Sequence, residues 1–194
     1  MVEQIIQDIK QQGWSYLEGV LDASFLSTLS ILYADNFVPA MVGKASERQR
    51  MEEIRGDLTF WLDPLNPPSQ LRELIHLLNE LKQHLNQHLY LGLKDFECHL
   101  AKYPIGSFYK KHLDRFETNA SRSLSFIFYL HEEWNDKDGG ELILYNQKHE
   151  IIKKILPKPG SFIIFLSEEF PHEVKPCFRE RRSLTGWMHT KILN

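Results

Sequence analysis

The sequence predicts a mainly β, α+β domain: a β sandwich or barrel with helices packed on one outer face. Three observations predict it. Apolar residues recur at helical spacing through the first 92 positions. After Gly92 the pattern changes to seven short β-rich runs, at 96–103, 123–130, 141–145, 151–156, 161–166, 172–177 and 183–190. Turn signals at 104–106, 135–140 and 157–160 separate these runs. Helices come first and strands follow without alternation, which argues against βαβ units. The 194 residues suffice for one domain with a sizeable core. It divides into a helix-rich support region, 1–92, and a β core, 93–194.

Each element has a local reason. In 2–12, Val2, Ile5, Ile6 and Ile9 form a helical stripe that Gly13 ends. A short strand follows at 14–20. Asp22 is a candidate N-cap for a second helix reaching Ala34. Residues 37–52 are charged, lack periodicity and read as a mobile polar segment. Pro64, Pro67 and Pro68 punctuate the chain before the longest helix, 69–89. There Leu71, Leu74, Ile75, Leu78, Leu81, Leu85 and Leu89 share a face, with His76, His84 and His88 exposed or flanking. His84 and His88 are four apart, as in a metal pair, but no third ligand accompanies them.

Composition excludes several classes. A net charge of −3, with one short basic cluster at Arg179, Arg181 and Arg182, argues against a nucleic-acid partner. No apolar run approaches a membrane span, and the acidic N-terminal stretch does not read as a signal peptide. Cys98 and Cys177 form no CxxC and read as reduced thiols, so a cytoplasmic location is expected.

Strand parity points to a lumen. In 123–130, Leu124, Phe126, Phe128 and Leu130 share an apolar face suited to lie under the helices. Ser123, Ser125, Ile127 and Tyr129 share the opposite, more polar one. Along 181–190, alternation puts Arg181, Ser183, Thr185 and Trp187 on one face and Arg182 on the other.

His112 and Asp114 are two positions apart, so on an extended chain both reach one side. A surface pair would look the same. His172, at the head of a later strand, is the candidate third member. Two imidazoles and a carboxylate on one side of an ion leave three positions open, the facial arrangement of non-haem Fe(II) oxygenases. A 2-oxo acid fills two of them and dioxygen the last. Its remote carboxylate needs a fixed cation, and Arg181, nine residues past His172, offers a bidentate fork. Tyr129 and Thr185 carry hydroxyls that could bond the same carboxylate. His99, His131, His149 and His189 lack matching partners and read as structural.

Five stretches carry a resemblance: IRGDLTFW (54–61), YPIGSFYKKHLD (103–114), RSLSFIFYLHEEW (122–134), DGGELILY (138–145) and PHEVKPCFRERRSLTGW (171–187). The chain resembles the Fe(II)- and 2-oxoglutarate-dependent dioxygenases of the prolyl 4-hydroxylase group, in particular the hypoxia-type enzymes and their bacterial relatives. The resemblance implies a double-stranded β-helix, jelly-roll or cupin-like, with N-terminal helices. It implies Fe(II) on His112, Asp114 and His172, with 2-oxoglutarate on Arg181 and Tyr129. Tyr109 matches a tyrosine lining the iron pocket. Arg122, Trp187, Asp57 and Trp61 match positions near a peptide entrance. Trp61 and Trp187 suit either an apolar wall for a pyrrolidine ring or core packing. O2 is the further co-substrate and ascorbate a candidate reductant. The implied reaction is 4-hydroxylation of a prolyl residue in a protein, with translation-machinery proteins among the candidate partners. A free amino acid, another small molecule, or a non-catalytic sensor role remain alternatives. The segment between Asp114 and Arg122 is shorter than the loop of the hypoxia-type enzymes.

Overall fold

The structure, a computed structural model, describes residues 1–33, 36–41, 50–114 and 121–193. Helix α1 (Val2–Gln12) buries Ile5 and Ile9 and stops at Gly13, whose left-handed backbone lets its N–H reach the Ile9 carbonyl at 3.0 Å. Strand β1 is Trp14–Leu17. Helix α2 (Ala23–Leu29) starts where the Asp22 carboxylate accepts the Phe25 N–H at 2.8 Å, and it tightens into a 3-10 turn, Ser30–Tyr33. Ala34, the expected end of that helix, lies outside the described residues, as do 42–49 of the expected mobile segment. The flanking Val38–Pro39 is not irregular: it is strand β2, paired with β3 (Leu58–Trp61). Helix α3 (Arg72–Leu89) follows a 3-10 turn at Ser69–Leu71. No helix among the described residues is long and apolar enough to cross a membrane.

The β core follows as β4 (Asp95–Tyr103), β5 (Tyr109–His112), β6 (Arg122–Tyr129), β7 (Leu142–Tyr145), β8 (Ile151–Ile155), β9 (Phe162–Leu166), β10 (His172–Val174) and β11 (Arg181–His189). All pairings are antiparallel, in two sheets: a seven-stranded one ordered β1-β9-β6-β11-β4-β3-β2, and a four-stranded one ordered β5-β10-β7-β8. This is the double-stranded β-helix architecture. The support region also supplies β1, β2 and β3 to the larger sheet, so the two stretches of sequence interleave.

The larger sheet has two buried faces, and alternation assigns each side chain to one. Leu124, Phe126, Phe128, Leu130, Cys98, Leu100, Leu184 and Met188 join the apolar faces of the three helices in one core. The opposite face, with Ala101, Tyr103, Ile127, Tyr129, Ile163 and Phe165, packs on Leu142, Leu144 and Val174 of the smaller sheet and on Cys177 just beyond it. Gly186 sits mid-strand in β11. A Cβ there would meet the Glu97 carbonyl at 2.3 Å and Cζ of Phe126 at 2.4 Å, so the bare backbone is what admits the Phe126 ring.

The inner face is laid out in rows. Register places Trp61, His99, Thr185, Ile127 and Ile163 side by side across β3, β4, β11, β6 and β9. One pleat away run Glu97, Trp187, Ser125 and Phe165. Arg181, Ser183, Thr185 and Trp187 thus lie on one face of β11, as alternation predicts.

Candidate active site

His112 ends β5 and His172 begins β10, and the two are direct antiparallel partners. Asp114 follows two residues later and is buried. Nε2 of His112 lies 3.4 Å from Oδ1 of Asp114, and Nε2 of His172 lies 3.5 Å from Oδ2. One ligand atom from each residue falls within 4.8 Å of the others. Among the described residues no other His, Cys, Asp or Glu group of three converges in this way. His84 and His88 remain exposed on α3.

The backbone orients these rings. His112 Nδ1 is 2.7 Å from the Lys110 carbonyl and His172 Nδ1 is 3.0 Å from the Phe170 carbonyl. Each Nδ1–H therefore donates to a carbonyl, which leaves Nε2 with a lone pair directed at the shared centre. Tyr109 stacks on His112 with centroids 3.6 Å apart, and Arg55 lies 4.2 Å above the Tyr109 ring. Burial alone would raise the Asp114 carboxyl pKa. The facing imidazoles of His172 and His112 and the Ser125 hydroxyl outweigh burial and hold it well below the usual carboxylate range. Burial likewise pushes the His172 imidazole down to about 4, a neutral ring fit for ligation. Two imidazole nitrogens and one ionised carboxylate suit a divalent, oxygen-reactive cation.

Arg181 is 1% exposed, among the largest fully buried side chains. Its Cζ lies 4.9 Å from the ring centroids of both Tyr103 and Tyr129. Among the described residues Nε and Nη2 make no well-formed hydrogen bond, nor does the Tyr129 hydroxyl. Nη1 makes only a long contact to Ser183 Oγ, at 3.5 Å. A buried guanidinium with two idle donors beside an idle phenol is an incomplete anion site, complementary to a carboxylate. Arg182, of opposite parity, instead covers Tyr33 on the helix side.

One cavity of about 610 Å³ joins these groups. Its wall includes Tyr109, His112, Asp114, His172, Arg181 and Thr185, then Arg122, Trp187 and Trp61 towards the surface. Arg122 stacks 3.7 Å over Trp187 and donates to Glu97 Oε1 at 3.1 and 2.6 Å. Asp57 is placed differently. It is 2% exposed, off the cavity wall, and binds Arg55 through two contacts of 2.8 and 2.6 Å. Arg55, not Asp57, reaches the cavity. His99 also belongs there rather than to the core alone: it lines the wall between Trp61 and Trp187, at 4.8 and 5.6 Å between centroids. Its place on the inner face was visible in the β4 alternation, where Cys98 and Leu100 turn to the helices and His99 and Ala101 do not.

The sequence profile of the 2OG-Fe(II) oxygenase superfamily matches residues 98–189, which span His112 to Trp187. A solved Pseudomonas putida prolyl-4-hydroxylase is 36% identical, with a TM-score of 0.86 over 99% of this chain and 100% of that one. The chain belongs to the 2OG-Fe(II) oxygenase superfamily. A Trichoplax adhaerens prolyl hydroxylase, solved with a hypoxia inducible factor peptide fragment, shares the fold at 24% identity, with a TM-score of 0.85 over 97% of this chain and 89% of that one. The hypoxia-inducible factor prolyl hydroxylase of Caenorhabditis elegans is 27% identical over 98% of this chain and 28% of that protein. This oxygenase spans between a quarter and two-fifths of the length of the curated relatives it matches. Fe(II), 2-oxoglutarate and O2 are the superfamily's reagents. The donor set and the idle Arg181 and Tyr129 groups fit the first two.

Proposed function

We propose that this oxygenase hydroxylates a proline within a polypeptide, consuming 2-oxoglutarate and O2 and releasing succinate and CO2. The observation that carries this reading is the span of a single cavity. At one end it is walled by the buried, unpaired Arg181, and at the other by Trp61, Val38 and Met41, each largely exposed. Between them lies the His112–Asp114–His172 centre. The volume, about 610 Å³, exceeds what a five-carbon diacid needs and leaves an aromatic, open mouth for a second molecule. A pyrrolidine ring is compact and apolar and suits a wall of indoles. The identity with the Pseudomonas putida prolyl-4-hydroxylase supports the same choice.

The roles divide along β11 and its neighbours. His112, Asp114 and His172 hold Fe(II), which when bound supplies dioxygen activation coupled to 2-oxoglutarate decarboxylation. Arg181 clamps the remote carboxylate of 2-oxoglutarate, and Tyr129 donates its hydroxyl to the same group. Thr185 lines the path between that clamp and the mouth. Tyr109 steadies the His112 ring. Arg122 is fixed on Trp187 by Glu97, so the rim is rigid before any peptide arrives.

The test is direct. The protein is incubated with Fe(II), ascorbate, 2-oxoglutarate and proline-containing polypeptides, and succinate and the mass of each peptide are followed. Succinate together with a one-oxygen gain on a proline is the expected result. Oxygen gained only by free amino acids would overturn the polypeptide reading, and no succinate under any condition would overturn catalysis itself.

A further inference from the structure

We propose that His99 and Trp187 form a subsite for the peptide group that follows the target proline, an inference that rests on the prolyl reading above. Trp187 Nε1 and His99 Nδ1 are both buried, and neither has a hydrogen-bond partner among the described residues. Each residue lines the cavity, and their rings lie 5.6 Å apart, with Trp61 covering both. His99 is 3% exposed and Trp187 8%. Buried polar atoms without partners are uncommon in native folds, and each carries an unrecovered desolvation cost until something bonds it. Here two sit on one wall, beyond the ion's own ligands and apart from the Arg181 clamp. A ligand that reaches both recovers that cost twice.

Their chemistry narrows what the ligand offers. An indole N–H only donates. Burial beside the cation of Arg55 holds the His99 imidazole at about 4, so the ring is neutral and can present Nδ1 as an acceptor. The matching ligand has an acceptor and a donor side by side, as a secondary amide does. Proline's own nitrogen carries no hydrogen, so the peptide group before it offers only a carbonyl. The group after it offers the prolyl carbonyl to Trp187 and the next residue's N–H to His99. A free amino acid would bring a carboxylate to the same place. Besides Arg181, the guanidinium groups on the cavity wall are those of Arg122 and Arg55, and each is already closed by a carboxylate, from Glu97 and Asp57 respectively.

The experiment deletes that one N–H. A pool of N-acetylated, C-amidated peptides carries a fixed proline between randomised residues. It is made twice, once with the ordinary amide after proline and once with that amide replaced by an ester. Oxygen gain on proline is timed by mass spectrometry with Fe(II) and 2-oxoglutarate, and succinate is measured in the same tubes. The expected result is that wild type oxidises the amide pool roughly tenfold faster than the ester pool. His99→Phe brings the two rates within about twofold, and His99→Gln, which keeps an acceptor, retains the preference. His99→Met gives the same answer as His99→Phe through a different apolar side chain, with thermal melting to verify folding of each. An amide-to-ester ratio that stays as large in the folded apolar variants as in wild type overturns the subsite alone. Succinate release with no proline oxidised in either pool overturns the prolyl reading, and the subsite with it.

Discussion

The Ser125 hydroxyl donates to Oδ2 of Asp114 at 2.7 Å and shares a second hydrogen bond with Ser167 at 2.8 Å. Both serines are buried, so this pair fixes the carboxylate plane before an ion binds. Ser125→Ala is expected to weaken Fe(II) or Mn(II) binding by roughly 10- to 100-fold while the fold persists. Metal titration followed by thermal shift measures both. Undiminished affinity would show that the carboxylate needs no such support.

Arg181 makes a sharper contrast. Its buried charge lacks a carboxylate partner among the described residues, so removing it relieves a desolvated cation. Arg181→Met should leave the melting temperature of the co-substrate-free protein undiminished. It should also lower 2-oxoglutarate affinity by about 100-fold or more, the loss of a charge-assisted clamp. Calorimetric titration tests the second part. A large drop in melting temperature would mean that the stacking on Tyr103 and Tyr129 matters more than the charge.

Asp57 sits beneath Arg55, which in turn covers Tyr109 and through it His112. Asp57→Asn leaves a buried guanidinium with half its partner, at a cost of about 3 kcal/mol. For a chain of this size that lowers the melting temperature by about 10 °C. Uncoupled succinate release should fall as well, because the His112 ring loses its backing. An unchanged melting curve would show Arg55 to be stabilised elsewhere.

Acid sensitivity follows from three histidines. Burial pushes the imidazoles of His99, His131 and His172 from 6.5 down to about 4. In the fold they stay neutral, whereas in the unfolded chain they protonate below about 6.5. The unfolded state thus binds more protons between those values, and stability of the metal-free protein falls as pH drops from 6.5 towards 4. Each histidine removes about 2 kcal/mol by pH 5. Glu97, held down to about 2 against burial by His189 and Arg122, adds a further loss below its ordinary range. Urea midpoints at pH 7.5 and 5 measure the slope, and His131→Phe should flatten it. Equal midpoints would contradict neutral buried rings.

Much of this was legible in the chain. The α3 stripe, the seven later runs and the parity of 122–130 and 181–189 were readable because burial on one side imposes a period on sequence. Two strands were not. Val38–Pro39 is only two residues long and one is proline, and Leu58–Trp61 is hemmed by Asp57 and Pro64; Tyr109–His112 was legible only as an extended stretch at His112, its start hidden by two exposed lysines. Strands of two to four residues hold too little apolar alternation for pattern to find them, whether at the sheet edge like Val38–Pro39 or inside it like Leu58–Trp61. His112, Asp114 and His172 were suggested by spacing, yet their meeting depends on the β5–β10 register, which no local signal fixes. Arg55 and Glu97 were passed over because a charged residue held in an ion pair, Arg55 to Asp57 and Glu97 to Arg122, reads in sequence like any solvated one. Residues 115–120, the shortened loop beyond Asp114, lie outside the described residues.

β11 carries Arg181 at its start and Trp187 two residues short of its end, six residues apart on the same side of one extended ribbon. That span is roughly 20 Å of backbone with a fixed two-residue beat. Inserting or deleting one residue anywhere between them would turn every lumenal side chain beyond the change into the helical layer. Divergence along this ribbon is therefore confined to swapping one side chain for another. Changes in the size of molecule accepted must come instead from the loops that begin where the ribbon stops.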